Sequence, residues 1–163
     1  MPETLLGFGG NVGDARSTIE QAIAQLCDGR DLRLIARSCD YSTPPWGVTD
    51  QNRFVNLCIL AETRLTPRDL LNRVQVIEQQ FGRNRANERR WGPRTLDIDI
   101  LTYGELVLDT PDMTLPHPRL FERAFALLPL MDIVPDRVIA GRRVRDAAAQ
   151  VDATGIVKLT PIA

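Results

Sequence analysis

The feature that most constrains the fold of this chain is a segment in which apolar and acidic residues alternate, between positions 96 and 101. A period of two predicts a β-strand with one apolar face, formed by Leu96, Ile98 and Ile100. The opposite face carries Asp97 and Asp99, whose Cα atoms should lie roughly 6.5–7 Å apart. Two carboxylates at that spacing repel each other unless a cation lies between or beside them. Hard divalent ions such as Mg²⁺ favour these oxygen ligands and usually keep water and substrate phosphates as further ligands.

A group of five arginines directly precedes this strand: Arg83, Arg85, Arg89, Arg90 and Arg94. Only Glu88 offsets them, so the local net charge is +4. Guanidinium groups match phosphate oxygens in a bidentate manner, and arginines next to metal-binding carboxylates favour a polyphosphate site. The alternative is a solvated sheet face beside a solvated loop. The Gly92-Pro93 pair, which joins the two segments and restricts the chain geometry there, favours the site.

Composition excludes several classes of protein. A length of 163 residues predicts one domain, residues 1–163, and a net charge of −1 argues against a nucleic-acid binder. Lys158 is the only lysine, which leaves little for Schiff-base or P-loop chemistry. No apolar stretch is long enough for a membrane span, and no secretory leader is visible. The three cysteines lack metal-site spacing, so we expect reduced thiols and a cytoplasmic location. A monomer is a separate expectation.

The run from Arg89 to Ile100 identifies a resemblance. It reads RRWGPRTLDIDI and closely resembles the signature of the 6-hydroxymethyl-7,8-dihydropterin pyrophosphokinases, enzymes of folate biosynthesis. The resemblance spans about residues 4–136. It implies transfer of a diphosphoryl group from ATP to the hydroxymethyl group of 6-hydroxymethyl-7,8-dihydropterin, with release of AMP. It also implies two Mg²⁺ ions as cofactors, held by Asp97 and Asp99.

The hydrophobic pattern predicts an α+β fold. The predicted elements are strands over 4–8, 32–41, 57–63, 96–101 and 106–108, the last after a hairpin turn at 103–105, and helices over 15–27 and 66–82. Ser17 and Glu20 have the spacing of a capping box, and Pro129 should limit a later helix. A short amphipathic helix without apparent chemistry follows in the tail. This order predicts a ferredoxin-like α/β sandwich, an antiparallel sheet with helices packed on one face, and the resemblance implies the same fold.

Two segments are candidates for binding the pterin. The Thr43-Pro44-Pro45-Trp46-Gly47 loop is rigid, although a plain crossover turn is the simpler interpretation. Phe54 and Asn56 share one strand face and pair a stacking ring with an amide, but a core Phe beside a turn Asn is more common. The resemblance assigns pterin contacts to Thr43, Pro44, Trp46, Phe54, Asn56, Asp97 and Phe125.

The nucleotide residues come mainly from the resemblance. Gln75 and Glu78 share a helix face, a spacing that is more often solvent decoration. His117, the only histidine, stands in a P-H-P-R motif, and a lone histidine is more often structural. The resemblance assigns ATP contacts to Gln75, Glu78, Arg83, Trp91, Arg94, Ile100, Thr114, His117 and Arg123. It implies that Arg83, Arg94, Asp97 and Asp99 are catalytic, and that the basic loop 84–94 closes as a lid with Trp91 sealing the site.

The first glycine-rich segment, 9–14, lacks the features of a phosphate-binding loop, so we interpret it as a tight strand-to-helix turn. The family usually has serine at the position of Gly10. The alternative from another functional class is an RNA-binding module on a ferredoxin-like scaffold, which would need exposed aromatic residues and a basic face. A sugar-nucleotide transferase would also use an Asp-x-Asp pair, but it would not explain the Thr43–Gly47 loop or Phe54 and Phe125.

Overall fold

The computed structural model describes residues 1–45, 47, 49–82 and 92–161. The strands are β1 (Glu3–Gly10), β2 (Leu32–Arg37), β3 (Tyr41–Thr43), β4 (Phe54–Thr63), β5 (Asp97–Tyr103), β6 (Leu108–Asp109), β7 (Thr114–Leu115), β8 (Val138–Ile139), β9 (Arg142–Arg143) and β10 (Val157–Lys158). The helices are α1 (Ala15–Leu26), α2 (Pro67–Gln80), α3 (Ala124–Ile133) and α4 (Val144–Gln150), with a 3₁₀ turn at Leu120–Glu122.

The main sheet is antiparallel throughout. Over the described residues it contains six strands, in the order β10-β3-β4-β1-β5, with β2 also paired to β4. The long strand β4 lies at its centre. β1 pairs along one edge of β4, and β2 and β3 pair one after the other along its opposite edge. The strand β5 pairs with β1 alone within the sheet, so the Asp-x-Asp strand lies at an edge.

Both faces of the sheet are covered. The first core, formed with α1 and α2, contains Phe8, Ile59 and Ile98, and the second, formed with α3 and α4, contains Leu5 and Leu101. The α+β fold class is confirmed, but the expectation of helices on one face was wrong. The central strands are buried on both sides, so each of their faces needs an apolar covering layer.

Three local predictions also needed correction. The span predicted as one strand over 32–41 is divided into β2 and β3, with the buried Ser38 and Asp40 in the break. Asp14, and not Ser17, caps α1, because its side chain accepts a hydrogen bond from the Ser17 N–H. Pro129 lies inside α3, which continues to Ile133 because the buried residues around the proline hold the helix in place.

The turn at 103–105 exists, but it does not form the predicted hairpin. The N–H of Leu106 donates to the carbonyl of Tyr103 at 3.0 Å, yet β6 pairs with β7 and not with β5. The outer edge of β5 is already occupied, since the N–H of His117 donates to the Leu101 carbonyl at 2.8 Å. The predicted tail helix is confirmed as α4, whereas the short strand β10 was not predicted. None of the described helices combines the length and the apolar character needed to cross a bilayer.

The second core predicts a large cost for truncating α3. Leu127 is fully buried, so Leu127→Ala should lower the free energy of unfolding by about 2–5 kcal/mol. Urea denaturation monitored by circular dichroism measures this loss. Leu106→Ala is the matched control, because Leu106 is 40% exposed and should change the free energy of unfolding by less than about 1 kcal/mol. Equal losses for the two variants would contradict the packing of α3 on the sheet.

Candidate active site

The register of three strands creates the centre of the site. Gly9 in β1 pairs with Asn56 in β4 on one side and with Asp97 in β5 on the other. A Cβ atom at Gly9 would lie 2.5 Å from the Asn56 Oδ1 atom. Glycine is therefore needed at this position, because only a residue without a side chain leaves room for the asparagine amide.

A cavity opens beside this glycine. It is lined by Gly9, Thr43, Pro44, Phe54, Asn56, Gly92, Arg94, Asp97, Arg123 and Phe125. Among these are six of the seven residues expected to contact the pterin; Trp46 lies outside the described residues. The Asn56 Nδ2 group donates to the Thr43 Oγ1 atom at 2.7 Å, which fixes the amide against the cavity wall. Aromatic walls with a few fixed polar groups are typical of sites for flat organic ligands.

The two aspartates stand next to this cavity. Asp97, Asp99, Arg123 and Phe125 line an adjoining cleft. The Arg123 Nη1 group donates to the Asp99 Oδ2 atom at 3.0 Å. Burial raises the pKa of Asp99 to about 7, and the nearby Asp97 carboxylate adds to the increase, while Arg123 opposes it.

This crowding of acidic groups fits a divalent cation, because a metal ion relieves the repulsion between Asp97 and Asp99 that adds to the effect of burial on the pKa of Asp99. No cluster of three or more His, Cys, Asp or Glu side chains suited to a metal ion occurs in the part of the chain that the structure describes. Two carboxylates alone match Mg²⁺ better than zinc, since Mg²⁺ commonly takes one or two carboxylates and fills its other positions with water and phosphate.

Arg123 connects the two parts of the site. Its guanidinium group contacts Asp99 and also lies over the Phe125 ring, 5.3 Å from the ring centroid. Both residues come from the start of α3, where Arg123 is the residue before the first helical turn. The helix on the second face of the sheet therefore delivers one cationic and one aromatic group to the site.

His117 lies close to the carboxylates, and its protonation state and tautomer follow from its surroundings. Burial lowers the pKa of His117 to about 4, and the nearby Arg123 contributes to the decrease, so the imidazole is neutral at pH 7. Its Nδ1 atom accepts from the Arg119 N–H at 3.2 Å. The proton is therefore assigned to Nε2, which lies 4.0 Å from the Asp99 Oδ1 atom. In this tautomer the Nε2–H group lies on the side of the acidic groups, at a distance too long for a hydrogen bond to Asp99.

The remaining nucleotide candidates are more dispersed. Glu78 is buried, and its carboxylate accepts from the Ile98 N–H at 2.9 Å, which holds the edge of β5 between the two aspartates. Ile100 is packed in the first core, Gln75 is partly exposed on α2, and Thr114 lies in β7. None of these four lines the cavity that contains Phe54. Arg83, Arg85, Arg89, Arg90 and Trp91 lie outside the described residues, so the proposed lid over 84–94 stays a prediction.

Asn11 is a site residue that sequence reasoning missed. Its Oδ1 atom accepts from the Arg94 N–H at 2.8 Å, and its own N–H donates to the Arg94 carbonyl at 2.9 Å. Its Nδ2 group donates to Gln51 and to the carbonyl of Asn52 at 2.9 Å. The glycine-rich turn therefore joins the segment before Phe54 to the segment that carries Arg94. A polar residue in a tight turn is too common a pattern to have revealed this role.

Close packing explains the glycine at position 10. A Cβ atom at this position would lie 2.6 Å from the Thr95 carbonyl oxygen, so the missing side chain lets residues 92–95 approach β1 closely. The serine that is usual in the resembling family would meet that carbonyl in this chain.

Comparison with known proteins agrees with this geometry. A model of the 7,8-dihydro-6-hydroxymethylpterin-pyrophosphokinase (HPPK) family matches residues 5–135. The 2-amino-4-hydroxy-6-hydroxymethyldihydropteridine pyrophosphokinase of Methylorubrum extorquens is 45% identical over 98% of this chain and 99% of its own length. The chain belongs to the HPPK family. The enzyme of the same name from Pseudomonas aeruginosa, another HPPK relative, is 41% identical over 94% of each chain.

Solved structures agree on the fold of this HPPK-family chain. A Plasmodium falciparum HPPK-DHPS chain with SDX-DHP superposes with a TM-score of 0.69 at 15% identity, over 92% of this chain. A triple-mutant HPPK-DHPS of the same organism gives a TM-score of 0.72 at 14% identity. The present chain spans 43% of the length of each of these two longer chains. At such identity the likeness concerns the fold alone.

The close approach at Gly10 predicts that a methyl group there is harmful. Gly10→Ala should lower the free energy of unfolding by about 1–3 kcal/mol, because the Cβ atom overlaps a backbone oxygen that cannot rotate away. Gly7→Ala in the same strand is the control for stability, since its Cβ atom would meet Leu101 at an ordinary 3.6 Å. Urea denaturation of both variants measures the difference. If Gly10→Ala were as stable as Gly7→Ala, the contact with Thr95 would not constrain the site.

Proposed function

We propose that this chain transfers the diphosphoryl group of ATP to the hydroxymethyl oxygen of 6-hydroxymethyl-7,8-dihydropterin, forming the pterin diphosphate and AMP. The observation that carries the proposal is a single cavity in which Phe54, Asn56 and Phe125 adjoin Asp97 and Arg123. A flat heterocycle fits the first group, and a polyphosphate fits the second. The names of the relatives from Methylorubrum extorquens and Pseudomonas aeruginosa support the same reaction.

The pterin end of the proposed site uses stacking and edge recognition. Phe54 and Phe125 supply aromatic faces on the wall of the cavity, and Asn56 supplies an amide whose orientation Thr43 holds. An amide both donates and accepts hydrogen bonds, as the edge of a pterin ring does. Thr43 and Pro44 complete this wall, and Trp46 belongs to the same loop in the proposal.

The phosphate end uses charge. Asp97 and Asp99 would hold Mg²⁺, two ions in this proposal, and the ions when bound supply positive charge to the phosphates. Arg94 and Arg123 face the same cavity and would neutralise negative charge that develops during transfer. The neutral His117 would donate its Nε2–H to a phosphate oxygen and does not act as a base, since its other nitrogen already accepts a hydrogen bond.

The chemistry requires positioning more than a reactive side chain. The hydroxymethyl oxygen attacks the β-phosphorus and loses its proton to solvent, the bond from that phosphorus to the bridging α–β oxygen breaks, and AMP leaves with that oxygen. Such transfers depend on in-line alignment and electrostatic stabilisation. Arg83 as a second catalytic arginine, with Trp91 sealing the loop over 84–94, remains part of the proposal, as do Gln75, Glu78, Ile100 and Thr114 as ATP contacts. A cytoplasmic location and a monomeric state also remain predictions.

The proposal predicts AMP as the nucleotide product. Incubation with Mg²⁺, ATP and 6-hydroxymethyl-7,8-dihydropterin should release AMP only when the pterin is present, which anion-exchange chromatography resolves from ADP. ADP in place of AMP would mean monophosphoryl transfer and would contradict the proposal. A folded sample that binds ATP but forms neither product would point to a binding module on the same fold.

The raised pKa of Asp99 predicts a pH-dependent metal requirement. Mg²⁺ binds the carboxylate and competes with the proton, so the Mg²⁺ concentration for half-maximal rate should rise as the pH falls through about 7. Initial rates at several Mg²⁺ concentrations between pH 6 and pH 8 measure this shift. Asp99→Asn should remain folded and lose at least about 100-fold in kcat, because it removes one of two metal ligands.

Asp146→Asn is the matched control for this experiment. Asp146 is exposed on α4, away from the cavity, so the same change of charge there should leave kcat and the Mg²⁺ requirement unchanged. A near-normal rate for Asp99→Asn would remove the metal assignment, whereas a wild-type Mg²⁺ requirement that is flat between pH 6 and pH 8 would show that the carboxyl group of Asp99 does not titrate near pH 7.

A further inference from the structure

The C-terminal residues lie beyond the family match, which ends at residue 135, yet they pack directly behind the proposed pterin pocket. We propose that the C-terminal brace, defined as residues 152–160, positions the pterin-binding loop that begins at Thr43, with Gly155 as the residue in contact with that loop. The inference rests on the proposed function. The brace should therefore contribute to the affinity for the pterin and have no effect on the affinity for ATP.

The brace completes the pairing of β3, a strand of only three residues. One edge of β3 pairs with β4, where Thr43 lies opposite Phe54. The other edge pairs with β10, where Val157 lies opposite Ser42 and Lys158 opposite Tyr41. The Leu159 N–H extends this ladder by donating to the Asp40 carbonyl at 2.9 Å. Without β10, the strand that leads into the pterin loop would have one unpaired edge.

The turn before β10 contacts the loop itself. Gly155 has φ +81°, and a Cβ atom added there would lie 3.1 Å from the Cγ atom of Pro44, a residue that lines the cavity. The Gly155 carbonyl accepts a hydrogen bond from Arg53, which also donates to the Ser42 hydroxyl at 2.8 Å and to the Ser42 carbonyl at 3.1 Å. One arginine next to Phe54 therefore holds the turn and β3 together.

Asp132 of α3 provides another anchor. It accepts from the Tyr41 hydroxyl at 2.9 Å, from the Cys39 N–H at 3.0 Å and from the Lys158 ammonium group at 3.1 Å. Burial, with a further contribution from Asp132, raises the pKa of Tyr41 to about 12, so the hydroxyl stays protonated and donates. Because α3 also carries Phe125, this anchor connects the helix of Phe125 to β3, the strand that pairs with Phe54.

A separate anchor holds the end of the brace. Arg16 donates to the buried Asp40 carboxylate at 2.7 Å and to the Thr160 carbonyl at 2.6 Å. The brace is thus attached at Thr160, at Lys158 and at Gly155, while its middle is paired with β3. A loop held in this way loses less conformational freedom when a ligand binds, so bracing increases affinity for the ligand that the loop contacts.

Two glycines allow a controlled test. Gly155 and Gly141 have nearly the same φ, +81° and +79°, but a Cβ atom at Gly141 meets no atom of the described residues within 4 Å. Gly155→Ala and Gly141→Ala therefore share the backbone strain and differ in the contact with Pro44. Steady-state rates of AMP release, with each substrate varied in turn, give kcat and both KM values.

We expect Gly155→Ala to raise the KM for the pterin about three- to tenfold, corresponding to about 0.7–1.4 kcal/mol, with kcat and the KM for ATP within about twofold of wild type. Gly141→Ala should leave all three constants near wild type. Arg53→Met should raise the pterin KM in the same way, because it releases the turn from β3 without adding an atom. Its control is Arg33→Met on β2, which removes a surface ion pair with Glu62 on β4.

Several results would overturn the inference. Equal pterin KM values for Gly155→Ala and Gly141→Ala would show that the contact with Pro44 has no effect on binding. A parallel rise in the KM for ATP would show a general structural loss in place of loop positioning. If Gly155→Ala does not fold, a normal pterin KM for Arg53→Met overturns the inference. Wild-type protein that releases no pterin-dependent AMP would overturn the proposed function and this inference together.

Discussion

The antiparallel register of β1 with its two neighbours is the constraint on which the rest of the site depends. It places Gly9 between Asn56 and Asp97, so that a group suited to a pterin edge and a group suited to a metal ion lie on the two strands that flank β1. A slip of one residue would move every side chain of a strand to the opposite face. The two cores prevent such a slip, because Leu5 and Leu6 are buried on opposite faces and neither can be exchanged for the other.

The electrostatics of the site follow from this placement. Burial and the neighbouring Asp97 carboxylate raise the pKa of Asp99, and Arg123 and the neutral His117 lie near the same carboxylate. In the proposed reaction this excess of acidic groups is balanced by Mg²⁺ and by the phosphates that the arginines attract. Glu78 adds a buried negative charge, but its hydrogen bond to the Ile98 N–H stabilises the strand that holds both aspartates.

Much of the site was accessible from local pattern and resemblance. The alternation around Asp97 and Asp99 predicted a strand with two carboxylates on one face, and the structure confirms the strand and the core position of Ile98. Thr43, Pro44, Phe54, Asn56 and Phe125 were selected from separate segments and lie around one cavity. Asn11 was missed because its partners, Arg94 and Asn52, are distant in sequence, and nothing in a glycine-rich turn indicates which backbone groups it will meet.

By itself, the sequence determined the element types and the chemistry of the groups, because apolar periodicity and side-chain identity are local properties. It determined the strand of Asp97 and the family signature. Only the tertiary structure decided that helices cover both faces, that β10 pairs with β3 and that Gly155 contacts Pro44. The last two features depend on contacts between residues more than a hundred positions apart, and a two-residue exposed strand has no periodicity from which its partner could be inferred.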